Sequence, residues 1–226
     1  MNIENKLLKK RDCPLEIELI LHAGWTDVYL TVGGEQLFFG ISNPTSLGYE
    51  KFSVLAKVLY FLSPDQDDYC YPGDLIEYVD GTFEEDGKHR DFIFIPFRTR
   101  FTWYEGRVNY SHWFLERKPD ISSDFTVKLR IDIEREDENL KEYNFEFLYK
   151  DLCYAVAKAY TKALKKHGFA GYRSSTFCDD IDVNHLLYLK AVALDCLEIR
   201  KRSKHPSGHW EVTKLEDELE LLLFDM

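Results

Sequence analysis

Asp132 and Glu134 stand two residues apart in an alternating run, with Lys128 four residues before Asp132, so all three share one face of an extended strand. Two carboxylates and an ammonium so placed can hold a divalent ion and a phosphate, the equipment of a metal-dependent hydrolase or nuclease. The whole face reads Thr126, Lys128, Arg130, Asp132, Glu134 without a break, which is also how any solvated strand looks, and that is the simpler account. His205 and His209 have the spacing of a zinc pair. No close cysteine pair accompanies them, and Pro206, Ser207 and Gly208 between them spell a turn. Cys13, Cys70, Cys153, Cys178 and Cys196 are odd in number and scattered, so they fit small buried hydrophobes better than a disulfide framework or a thiol nucleophile. The GxSxG, GxxxxGK[ST] and GxGxxG patterns do not occur. No catalytic residue, cofactor or metal is therefore expected, with Asp132 and Glu134 kept as the enzyme alternative.

Two stretches are better suited to binding than to chemistry. Between Asp65 and Asp91 ten acidic residues face only Lys88 and Arg90, which places most of the chain's net charge of −11 in one segment. Such a surface steers a basic partner and penalises an acidic one; its plainer use is solubility. Asp67, Asp68, Glu84, Glu85 and Asp86 are the expected steering contacts, with Tyr69 and Tyr71 as anchors. The second stretch, Phe92 to Phe114, is rich in rings and arginines. It has the ingredients of a stacking platform for single-stranded nucleic acid, but the global charge opposes a phosphate backbone, and sheet core explains most of the rings. Its surface residues are expected to be Arg98, Arg100 and Trp103, together with Tyr104 and Trp113, because Trp, Tyr and Arg are the usual interface anchors.

Stepping outward from these residues, the positioning elements follow from periodicity. Leu15 to Leu21, Val28 to Val32 and Leu37 to Ile41 alternate as a three-stranded meander, with Ala23 to Thr26 and the Gly33–Gly34 pair as turns. A helix is expected over Tyr49 to Leu62, then an acidic loop region over 63–91 with a short strand near Leu75 to Val79. One face stays apolar from Ile93 through Phe97 and Phe101 to Trp103, and Pro96 marks an edge or bulge. Strands over Val108–Leu115 and Phe125–Glu134 complete a second meander. The period then changes from two to 3.6, with Phe145, Leu148, Leu152, Val156, Tyr160 and Leu164 reading as a helix closed by Gly168. A further helix is expected from about Ile181 to Arg202, with Arg200, Lys201 and Arg202 at its carboxyl end, then a loop over Ser203 to Gly208 and a tail helix carrying Leu215 to Phe224.

Strands and helices are grouped rather than alternating, so the class is α+β: an antiparallel sheet, or two meanders, with long amphipathic helices on one face. One domain over 1–226 is expected, the other division being 1–62 and 92–226. No apolar run reaches the length of a membrane span, and the expected location is the cytoplasm.

The order of these parts, with Ala23, Gly24 and Trp25 between two early strands, an amphipathic helix, a charged aromatic meander and a late helix ending in Gly168 to Tyr172, resembles small bacterial immunity proteins of polymorphic or contact-dependent toxin systems. The resemblance implies a non-enzymatic cytoplasmic protein that binds and blocks one cognate toxin domain, often a basic nuclease. It carries no functional residue over. The expected partner is thus a protein with a basic surface, with no membrane and no direct nucleic acid contact; a subunit of a larger assembly, docking through the tail leucines, is the remaining alternative.

Overall fold

Alternating apolar residues at the amino terminus do form a meander. In the computed structural model, which describes residues 13–42, 51–63, 93–95, 98–106, 109–117, 125–136, 138–176, 179–196, 201–205 and 208–226, β1 (Leu15–His22), β2 (Trp25–Val32) and β3 (Glu35–Ser42) pair antiparallel in chain order. Gly24, Gly33 and Gly34 supply the positive φ angles of its two tight turns. Helix α1 (Ser53–Leu62) buries Leu55, Val58, Leu59 and Leu62.

A second sheet holds β4 (Ile93–Ile95), β5 (Arg98–Gly106), β6 (Asn109–Arg117), β7 (Thr126–Glu134) and β8 (Lys141–Leu148), all antiparallel and in chain order. Then come the long helix α2 (Tyr149–Ser175), α3 (Val183–Ala193), the hairpin of β9 (Lys201–His205) and β10 (Gly208–Val212), and the tail helix α4 (Leu215–Leu223). The class is α+β with antiparallel sheets. Among the described residues no helix is long and apolar enough to cross a membrane.

Three expectations need correction. The run from Ile93 to Trp103 is two strands, because Ile95 lies opposite Arg98 in an antiparallel pair. Phe145 and Leu148 belong to β8 and not to the helix: Phe145 pairs with Leu129 and Leu148 with Thr126, so ladder hydrogen bonds hold them extended. Gly168 does close the first helical run, as expected: its φ of 65° and ψ of 172° are not helical, so α2 is two helical segments meeting at a kink there, the second running on to Ser175. The helix expected to reach Arg202 stops at Ala193, where Asp195 takes φ 50° and the Cys196 amide donates to the Ala191 carbonyl at 2.8 Å. Lys201 and Arg202 therefore sit in β9, together with Ser203 to His205, where a loop is expected, and Gly208 begins β10.

The core lies where the inner faces of the two sheets meet α1 and α2. Phe39 of β3 packs against Trp103 and Trp113, with ring centroids 6.1 and 5.1 Å away, while Phe52 bridges Trp103 and Tyr160 at 5.9 and 4.9 Å. One continuous buried cluster takes side chains from both sheets and from α1, α2 and α3, and so crosses the division considered between residues 62 and 92.

Candidate functional site

Alternation along β5, β6, β7 and β8 gives the five-stranded sheet one face for the core and one for solvent. On the core side Phe101, Trp103, Trp113, Leu115, Leu129 and Ile131 are buried. On the solvent side the antiparallel register lines the remaining residues up in rows across four strands. Arg98, Glu116, Lys128 and Glu146 make the first row, and Arg100, Phe114, Arg130 and Asn144 the second. Thr102, His112, Asp132 and Glu142 make the third, and Tyr104, Tyr110 and Glu134 the fourth.

Between the first two rows the twisted sheet leaves a depression of about 750 Å³. Its floor is the backbone around Thr99, Leu115 and Leu129, whose side chains turn to the core, and its walls are the charged residues of the two rows. Four cations, Arg98, Arg100, Lys128 and Arg130, stand there against Glu116 and Glu146. Two of the cations are engaged. The Arg98 guanidinium donates to Glu116 at 2.9 Å, and Arg130 lies 4.0 Å over the Phe114 ring with its Nε 3.3 Å from Asp132. Arg100 and Lys128 have no ion-pair partner among the described residues. Glu146 accepts a hydrogen bond from the Thr126 hydroxyl at 2.9 Å. An anionic group entering the depression thus meets two cations that need not break an existing pair.

The other end of the same face is acidic and aromatic. Asp132, Glu134 and Glu142 share it with stacked Tyr110 and His112, Tyr104 lying 5.5 Å from Tyr110. Asp132 is paired with Arg130, and Glu134 lies 3.6 Å from His112 Nε2. The two carboxylates of the enzyme alternative therefore each have a protein partner, and among the described residues no three metal-binding side chains converge. At the sheet edge Glu105 is buried, and burial raises its pKa. Arg135, 3.4 Å away, opposes that rise.

Of the expected contact residues, Arg98 and Arg100 stand on the solvent face beside each other's rows. Trp103 does not, and neither does Trp113: both are buried, and the Trp103 indole donates to the Lys51 carbonyl at 3.2 Å. One strand cannot show Arg100 and Trp103 to the same side, because their positions differ by an odd number. Asp67, Asp68, Tyr69, Tyr71, Glu84, Glu85 and Asp86 lie outside the described residues, as does the strand expected over Leu75 to Val79. Sequence reasoning did not link Phe114, Lys128 and Arg130 to Arg98 and Arg100; their shared face was readable in each strand, but the register that joins them was not.

Compared with known protein families, characterised proteins and solved structures, the chain matches none.

Proposed function

We propose that the chain is a non-enzymatic protein-binding module whose contact surface is the solvent face of the five-stranded sheet, and that it neutralises a bacterial toxin domain by covering it. The observation that carries this reading is the two-signed face itself: Arg100 and Lys128, without an ion-pair partner among the described residues, in an open depression at one end, and Asp132, Glu134 and Glu142 at the other. Opposed charges set four residues, about 13 Å, apart along the strands orient a partner as well as attract it. A partner surface that fits carries carboxylates opposite Arg100 and Lys128 and lysines or arginines opposite Glu134 and Glu142. The aromatic and aliphatic parts between them supply apolar contact, Phe114 and Tyr110 being half-buried already. The net charge of −11, concentrated in the sequence between Asp65 and Asp91, adds long-range attraction for a basic partner. The toxin-inhibitor assignment rests on the likeness in layout to immunity proteins, and its place of action is then the cytoplasm.

The test is charge reversal on the sheet face. Arg100→Glu with Lys128→Glu should weaken binding of the partner by roughly a hundredfold, chiefly through faster dissociation. Glu84→Lys, Glu85→Lys and Asp86→Lys together should instead slow association and flatten its salt dependence. Unchanged affinity in the first variant would remove the sheet face from the interface.

A further inference from the structure

Helix α4 buries one apolar stripe and leaves another open. Leu221 is buried and, with Leu222 and Phe224, packs on the cluster of Leu187, Ala191, Leu194 and Cys196. Leu215, Leu219 and Leu223 recur at four-residue steps on a different face and stand 64%, 47% and 74% exposed. A docked helix needs one such stripe; three further leucines in water have no use in the fold.

The rotation of α4 is fixed, so the open stripe cannot turn inward. Lys190 of α3 is buried, and its Nζ donates to the carbonyl oxygens of Leu221, Leu222 and Phe224 at 3.2, 2.7 and 2.9 Å. One ammonium thereby holds the last turn by the carbonyls that a helix end leaves without partners. Within α4 the charged side chains beside the stripe are of one sign: Glu216 and Glu220 are exposed next to it, and α4 carries no lysine or arginine, Lys214 standing just before it at the N-cap.

We propose that the Leu215–Leu219–Leu223 stripe is a second docking surface, and that its occupant is an amphipathic helix of a partner protein with lysines or arginines bordering its apolar face. Charge selects that occupant. A second copy of this chain would set Glu216 and Glu220 against the same acids, and like charges at helix spacing repel. A helix laid along the stripe adds leucine contacts and pairs its flanking cations with Glu216 and Glu220. The surface is separate from the sheet face and stands or falls independently of it.

The experiment uses the full chain and two labelled synthetic helices, one with leucines at four-residue steps bordered by lysines, the other with glutamates in place of the lysines. Fluorescence anisotropy should show saturable binding of the lysine helix only, weakened by salt, and reduced about tenfold or more by Leu219→Ser with Leu223→Ser. Both positions are exposed, so the variant should keep the wild-type melting midpoint, and Arg100→Glu should leave this binding unchanged. Absence of saturable binding overturns the proposal, as does binding indifferent to the leucine substitutions or to the sign of the flanking charge. Dimerisation of the chain through the same leucines, read by sedimentation, overturns it in favour of a second copy.

Discussion

Among the described glycines Gly40 has the least room for a side chain. A Cβ built there would stand 2.2 Å from the Trp25 ring, and one built on Gly106 of β5 would stand 3.6 Å from the same ring. Trp25 thus ties the edges of the two sheets, and its indole donates to Asp27 at 2.5 Å. Gly40→Ala should cost about 1–3 kcal/mol, read as a fall in the denaturation midpoint with the slope unchanged. Asp179 carries a different sensitivity. Its carboxylate is buried and accepts from the Tyr172 hydroxyl at 2.7 Å and from the Ser53 amide at 3.3 Å, so it caps α1 from 126 residues away. Burial raises its pKa, with the bonds from Ser53 and Tyr172 opposing. The folded state therefore binds the proton more readily than the unfolded one. The resulting stability is fully present below the unfolded value of about 3.9 and is lost as pH rises through the raised folded value. Asp179→Asn keeps an acceptor oxygen without the charge and should shrink the loss of stability between acid and neutral pH. Parallel wild-type and variant profiles would show that burial of this carboxylate is not what sets the slope. None of this was legible beforehand, since Trp25 over Gly40 and Asp179 under Ser53 are both long-range placements.

At the scale of elements, a single lysine holds the last turn of α4. Burial lowers Lys190 to about 8, Lys165 adding to the shift and Asp225 opposing it, so the ammonium form persists at neutral pH and all three of its bonds are made. Lys190→Met fills the same space and leaves the carbonyls unpaired. Amide exchange in residues 218–223 should then quicken by roughly tenfold or more, while amides of α1 and the first turns of α2 keep their protection. Uniform acceleration throughout would mean that the lysine supports the whole fold and not one helix. The elements themselves were largely readable. Period two gave β1, β3, β6 and β7 to within two residues, because each has one buried face, whereas β2 begins at Trp25, three residues before the expected Val28, so that Trp25 and Thr26 are strand and not turn. The misreadings have physical sources. In β8, Tyr143, Phe145 and Phe147 alternate with Glu142, Asn144 and Glu146, but the first two are only half-buried on this edge strand, and the helix pattern beyond claimed Phe145 and Leu148. The end of α3 is set by a left-handed aspartate, Asp195, where a sequence reader looks for glycine.

For the whole molecule, charge and topology pull in one direction. Both sheets spend one face on a shared aromatic core, and the larger one keeps four strands of charged side chains in register on the other. Reading each strand gave the two faces; only the pairing of strands showed that four cations outnumber two carboxylates at one end while Asp132, Glu134 and Glu142 gather at the other, since register is a property of the assembled sheet. The most direct measurement is affinity capture from the source cell with two baits, the wild-type chain and the Arg100→Glu, Lys128→Glu variant, eluted with rising salt. Binding through the sheet predicts one protein retained in stoichiometric amount by the wild type, released as salt rises, and missing from the variant. Retention of the same protein by both baits, or of none by either, would contradict it.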